Sequence, residues 1–140
     1  MRIFAILKKA FQRMNSDKEE LNNISYFRYD TVSRSAVGSF NFPWLTIEKT
    51  GYYVVLLSIS GSISSSEDTI AALAVDEDSG CTRIVDAYSR GTMSSGGGTT
   101  SWGIVNVTKK NAKIRISSYC YKASSKTYGG KIMAIRLRSN

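Results

Sequence analysis

The sequence contains no histidine. That absence removes Ser-His-Asp and Cys-His nucleophile arrangements and every zinc site built on imidazole. The two cysteines, Cys81 and Cys120, are too few for a disulfide framework, lack CxxC spacing, and have no neighbouring base to activate a thiol. They read as half-buried thiols on strands, with a single bridge between them left open. The one proline, Pro43, precedes an apolar run instead of interrupting it. No apolar run is long enough to cross a bilayer. Lys8 and Lys9 cut short the apolar start Ile3-Phe4-Ala5-Ile6-Leu7, so neither a signal peptide nor membrane insertion is expected. On that reading the chain stays in the cytoplasm of its producing cell unless lysis releases it.

Acidic residues stop at Asp86. Beyond it Arg90, Lys109, Lys110, Lys113, Arg115, Lys122, Lys126, Lys131, Arg136 and Arg138 are unbalanced, and the net charge is +8. Such a half attracts polyanions, or it is a solvated strand face whose charges block edge-to-edge aggregation. Asp76, Glu77 and Asp78 are the densest acidic cluster, but consecutive residues at a strand end point to alternate sides, and a solvated turn is the simpler reading than a carboxylate pair for glycoside hydrolysis. The run Asp76-Glu77-Asp78-Ser79-Gly80 also matches part of a calcium loop without its later bidentate Glu, which leaves only a weak metal site at Asp76 and Asp78. Gly96-Gly97-Gly98 is not followed by Lys-Ser or Lys-Thr, so it is a flexible loop and not a phosphate cradle. No cofactor and no catalytic residue are expected.

What is present divides the 140 residues in two. Ile3, Leu7, Ala10, Met14, Leu21 and Ile24, with Asp17 at one polar position, alternate spacings of four and three, which is the pattern of a coiled-coil seam widened by Phe4 and Phe11. Ser16-Asp17-Lys18-Glu19 also reads as a capping box, so one helix or two stays open. We expect residues 1–30 to be a helical, self-associating segment and residues 31–140 to form a β domain. Short runs from Ser33 onward, separated by Gly, Ser, Asn and Thr, predict strands at Ser33–Phe40, Trp44–Glu48, Tyr52–Ser60, Thr69–Asp76, Thr82–Tyr88, Trp102–Thr108, Ala112–Tyr121 and Lys131–Arg138, a sandwich or barrel.

Two of these strands are apolar on both sides. Tyr53, Val55, Leu57 and Ile59 oppose Tyr52, Val54 and Leu56, and Ala71, Leu73 and Val75 oppose Ile70, Ala72 and Ala74. A strand with one wet face alternates, so one side fits a core and the other a subunit interface. Ala112–Tyr121 does alternate, with Ile114, Ile116 and Cys120 inward and Lys113, Arg115, Tyr119 and Tyr121 outward. In Lys131–Arg138 the expected inward set is Met133, Ile135 and Leu137, with Arg136 and Arg138 outward. The expected oligomer contacts are Ile3, Leu7, Met14, Tyr52, Val54, Leu56, Tyr119 and Tyr121.

Leu45-Thr46-Ile47-Glu48-Lys49-Thr50-Gly51-Tyr52-Tyr53-Val54-Val55 resembles the segment of C1q/TNF-like jelly rolls in which Gly-x-Tyr follows a turn and opens a central strand. Val105–Ile116 resembles that family's later strand, tight turn and strand, with Asn111-Ala112 where the family often has Gly-Asp. Lys131–Leu137 sits where its last strand falls. The resemblance covers Ser33 to the C-terminus. With a helix ahead of the sandwich, the chain also resembles short tail-associated proteins of phages and prophages.

The resemblance implies an all-β, jelly-roll β-sandwich of about eight to ten antiparallel strands with a short N-terminal helical segment. It further implies a homotrimer that is carried on a virion tail and binds a host-surface glycan or receptor, with other virion proteins as possible neighbours. Candidate ligand contacts are Tyr128, in Lys126-Thr127-Tyr128-Gly129-Gly130, together with Tyr88 and Trp102, whose rings can stack on sugars. Trp102 also reads as a core residue, and that reading is preferred for it. The competing functions are a virion assembly protein without a ligand and a basic nucleic-acid binder.

Overall fold

The computed structural model describes residues 2–22, 24–61, 67–75, 80–93, 98–121 and 126–140. Among them one helix, α1 (Arg2–Asn22), precedes ten strands. These are β1 (Ser25–Arg34), β2 (Gly38–Asn41), β3 (Leu45–Ile47), β4 (Gly51–Gly61), β5 (Glu67–Val75), β6 (Cys81–Val85), β7 (Tyr88–Met93), β8 (Gly98–Val107), β9 (Ala112–Cys120) and β10 (Lys126–Arg138). Sheet A has the order β1-β10-β4-β8-β6. Sheet B has β2-β9-β5-β7, with β3 also paired to β9. From β4 onward successive strands alternate between the two sheets, and all the pairings are antiparallel. This is a jelly-roll sandwich.

The helix runs without a break through Ser16-Asp17, so the capping box does not start a second helix. β1 begins at Ser25, inside the segment expected to be helical, and pairs along its whole length with β10. The stretch expected as one strand over Ser33–Phe40 is broken at residues 35–37, and β2 opens on Gly38, whose φ of 135° only glycine adopts readily. Residues expected as one strand over Thr82–Tyr88 divide between β6 in sheet A and β7 in sheet B.

The core lies between the sheets, which pack about 10 Å apart. β4 contributes Tyr53, Val55, Leu57 and Ile59, and β9 contributes Ile114, Ile116 and Cys120. Both sets match the alternation read from the sequence. In β10 the phase is reversed. Ile132, Ala134 and Arg136 are buried, Met133 and Ile135 face outward, and Leu137 is exposed. Ile132-Met133-Ala134-Ile135 is apolar throughout, so its periodicity cannot tell the two faces apart, and a register shift between Arg136 and Arg138 displaces the arginine spacing on which the expected phase rests.

The turn from β3 into β4 ends on Gly51 at φ 146°, and Tyr53 two residues later donates its hydroxyl to the Lys49 carbonyl at 2.8 Å. The β8–β9 turn uses Asn111 at φ 61°, in keeping with the tolerance of asparagine for left-handed backbone. Cys81, half-buried, and Cys120, buried, are not bridged to each other.

Candidate functional site

Each sheet has an outer face, and the two are chemically unlike. Strand register generates the outer face of sheet A row by row. Phe27 pairs with Met133, Met133 with Leu56, and Leu56 with Trp102, giving one apolar row across four neighbouring strands, about 14 Å wide. The next row toward the helix end is Ser25, Ile135, Val54, Ile104 and Val85. Beyond these on either side the rows turn polar, with Tyr29, Lys131, Ser58 and Thr100 at one edge and Arg138, Tyr52, Asn106 and Thr82 at the other.

Among the described residues nothing covers the apolar rows. Phe27 is 57% exposed, Leu56 43% and Trp102 56%, values that belong to surface positions although the residue types belong to cores. Phe27, Met133, Leu56 and Trp102 line an open concavity of about 340 Å³, with Ser58, Thr100 and Lys131 along its polar edge.

The outer face of sheet B is polar and aromatic. Asn41, Ser117, Ala72 and Tyr88 form one row by register, and Ser39, Tyr119 and Ile70 form the next. The Tyr119 and Tyr121 rings lie 4.7 Å apart and tilted. The Arg115 guanidinium stacks on Trp44 with its carbon 4.0 Å from the ring centre. Tyr88 is exposed with its neighbour Ala87 wholly buried, so β7 presents its aromatic ring outward from the moment it joins the sheet.

The expected ligand contacts therefore do not meet. Tyr88 lies on the outside of sheet B and Trp102 on the outside of sheet A. Tyr128 lies between the sheets with no exposure at all, its ring 5.0 Å from Phe40 and its hydroxyl 3.2 Å from the Cys120 sulfur. Tyr128 is a core residue of β10 and not a loop residue, because β10 begins at Lys126 and opposes β4 there through Gly61. Trp102, read as core, is on the surface: in β8 the buried positions are Thr99, Gly103, Val105 and Val107, so Trp102 falls on the other side.

The expected interface set divides in a similar way. Tyr52, Val54 and Leu56 share the outer face of sheet A, while Tyr119 and Tyr121 belong to the opposite side of the sandwich. Ile3 and Leu7 are exposed on α1, and the side chain of Met14 is outside the described residues. Asp76 and Asp78 also fall outside the described residues. Among those described, no group of three or more His, Cys, Asp or Glu could hold a metal ion. Nor is any described helix long and apolar enough to cross a membrane.

Sequence reasoning missed Phe27 and Met133, the first because β1 was not foreseen and the second because the phase of β10 was reversed. It also missed the partners of the surplus cations. Besides Arg115 on Trp44, Arg138 lies 4.4 Å from the Tyr52 ring centre, Arg34 5.6 Å from that of Phe40, and the Lys131 ammonium 5.9 Å from that of Tyr29. Arg28 donates to the Asp30 carboxylate and, at 2.9 Å, to the Trp44 carbonyl. The ion pair raises its pKa above the ordinary arginine value, against a smaller opposing effect of burial. Several cations are thus engaged one by one on aromatic faces distributed over both sheets instead of forming a single stripe.

No protein-family model matches the chain, and no curated protein matches it closely. Solved structures with a similar fold include one of infectious bursal disease virus, Gx strain, at 13% identity and a TM-score of 0.49, covering 81% of this chain and 32% of that one. The present chain thus spans about a third of the length of that viral protein. The tripod from the baseplate of bacteriophage Tuc2009 matches at 14% identity and a TM-score of 0.40, covering 79% and 64% of the two chains. The Eiger TNF from S. frugiperda matches at 9% identity and a TM-score of 0.37, covering 84% and 94%. These are remote likenesses of fold, and they carry nothing about function.

Proposed function

We propose that this chain is a non-catalytic binding module that associates with copies of itself through the outer face of sheet A and presents sheet B to a surface glycan. The observation that carries the reading is the uncovered row Phe27–Met133–Leu56–Trp102. An apolar centre bounded by polar rows on both sides has the anatomy of a protein interface. The row holds no charge, and its edges carry cations and hydroxyls but no carboxylate, so an apolar patch of like kind suits it better than a charged partner. Three copies about an axis is the arrangement that the jelly-roll resemblance implies.

On this reading Trp102 belongs to the interface, together with Tyr52, Val54 and Leu56. The ligand side is sheet B, where Tyr88 is exposed in a row with Asn41 and Ser117, so that a ring for stacking lies beside groups that hydrogen-bond hydroxyls. Weak sites repeated on each copy act together and gain avidity. A phage or prophage tail component adhering to its host is the biological setting that this chemistry suits. A nucleic-acid binder is disfavoured because its cations would line one groove, whereas those described here are distributed over both sheets.

Light scattering of the full chain at micromolar concentration tests the association. A trimer mass that falls to the monomer mass in Leu56→Lys is expected, and a wild-type chain that is already monomeric sinks the reading. Binding to purified host cell-wall polysaccharide, reduced by Tyr88→Ala without a change in mass, tests the ligand side.

A further inference from the structure

The first half of α1 has no role in that reading, and its chemistry is specific. Every residue from Arg2 to Arg13 is exposed. Ile3, Phe4, Ile6, Leu7 and Phe11 are at least half exposed, with Phe4 at 76%. At 100° per residue Ile3, Phe4, Ile6, Leu7, Ala10 and Phe11 fall within an arc of roughly 160°. Arg2, Lys8, Lys9, Gln12 and Arg13 occupy the other side. The four charges in this half are all positive, and the acidic residues of the helix, Asp17, Glu19 and Glu20, come later.

A self-associating coil fits these positions poorly. With Ile3, Leu7, Ala10 and Met14 as the seam, the flanking positions that would carry complementary charges hold Phe4, Ile6, Phe11 and Arg13. Parallel copies would have no anion in this half to offset their cations. The apolar arc is also wider than a two-position seam needs.

We infer that Arg2–Arg13 is a membrane-surface helix that lies in the headgroup region of an anionic bilayer, its apolar arc toward the acyl chains and its cations toward lipid phosphates. A wide apolar arc with large side chains, opposed by Lys and Arg alone, is the composition that places a helix in the interface plane. Charge complementarity identifies the partner, since each cation is attracted to an anionic leaflet and the attraction weakens within a Debye length as salt rises. The mode is lying on the bilayer and not crossing it, because Lys8 and Lys9 interrupt the middle of the apolar segment. Association through sheet A is separate from this contact.

Co-sedimentation of the full chain with vesicles tests the inference, using equal parts phosphatidylglycerol and phosphatidylcholine against phosphatidylcholine alone. Binding to the anionic vesicles should be stronger by about tenfold or more and should fall in high salt. The double variant Phe4→Ser/Phe11→Ser should lose vesicle binding while keeping the wild-type mass by light scattering and the wild-type β-sheet circular dichroism. Lys8→Glu/Lys9→Glu should abolish the preference for anionic lipid. Equal binding to both vesicle types overturns the inference, as does no binding to either. Loss of oligomer mass in the Phe variant without any vesicle binding by wild type would assign the helix to self-association instead. Binding of duplex DNA by the wild type, abolished in Lys8→Glu/Lys9→Glu, with vesicles ignored, would also overturn it. Failure of the sheet A reading is seen separately, in the mass of Leu56→Lys.

Discussion

The Tyr128 hydroxyl and the Cys120 sulfur lie 3.2 Å apart in the interior of the sandwich, on strands of opposite sheets. Tyr128 has no exposed surface, so its contribution is to packing and not to a ligand. Tyr128→Ala should cost about 3–5 kcal/mol in urea unfolding, the range for truncating a large buried ring. Tyr128→Phe should cost about 1 kcal/mol, since only the polar contact is lost. In the native protein a thiol reagent should modify half-buried Cys81 well before Cys120.

Gly130 and Gly129 are adjacent, yet they should differ sharply. A Cβ on Gly130 would stand 2.6 Å from two carbons of the buried Phe42 ring, whereas one on Gly129 would meet the hydroxyl end of exposed Tyr29 at 3.2 Å. Gly130→Ala is expected to destabilise by about 1–3 kcal/mol through overpacking. Gly129→Ala should stay within about 0.5 kcal/mol of wild type. Thermal melts of the two variants side by side make the comparison, and equal losses would mean that Phe42 is not where this structure places it.

Burial, more than its neighbours Tyr26 and Arg136, pushes the Tyr53 phenol well above its ordinary value of 10.0. A folded-state pKa above the unfolded one gives stability that is present in full below pH 10 and is lost as pH rises past it, because the unfolded chain releases the proton first. Unfolding free energy should therefore fall between about pH 10 and the raised folded value. Tyr53→Phe should flatten that part of the decline and cost about 1 kcal/mol at neutral pH for the lost bond to the Lys49 carbonyl. Denaturant midpoints measured across this alkaline range decide the matter.

If copies associate through sheet A, folding and association are linked, and the melting temperature should rise with protein concentration. Trp102→Ala and Leu56→Lys should remove that dependence with little loss of stability at high dilution, since both side chains are largely exposed in the single chain. Tryptophan emission should shift to the blue on concentrating the wild type and remain fixed in Leu56→Lys.

The strands with strict alternation were legible from the sequence alone. In β9, Lys113 and Arg115 separate Ile114 and Ile116, so only one phase keeps charge in water, and the structure follows it. Double-sided β4 was also legible, since its buried and half-exposed sets are those that its pattern defines. β1 was not, because Arg28 and Asp30 fall on its inward positions, where they satisfy each other. A polar pair at an edge breaks the alternation that marks a strand. Trp102 was misplaced because residue size suggests a core, whereas the position of Gly103 in β8 decides the side: a Cβ there would meet the Val85 carbonyl at 2.5 Å. The apolar row escaped notice for a different reason. Its four members come from residues 27, 56, 102 and 133, and only strand order brings them together.

The pairing of β1 with β10 also bears on how the molecule comes into being. Residues 25–34 leave the ribosome well before the strand that completes their hydrogen bonds, residues 126–138. Until then β4 too lacks one of its two neighbours. The sheet with the greasy exterior cannot close until β10 has been made, and contacts this distant in sequence form slowly. Aggregation of nascent chains, rather than of the finished fold, is the stage at which a holding chaperone would matter most.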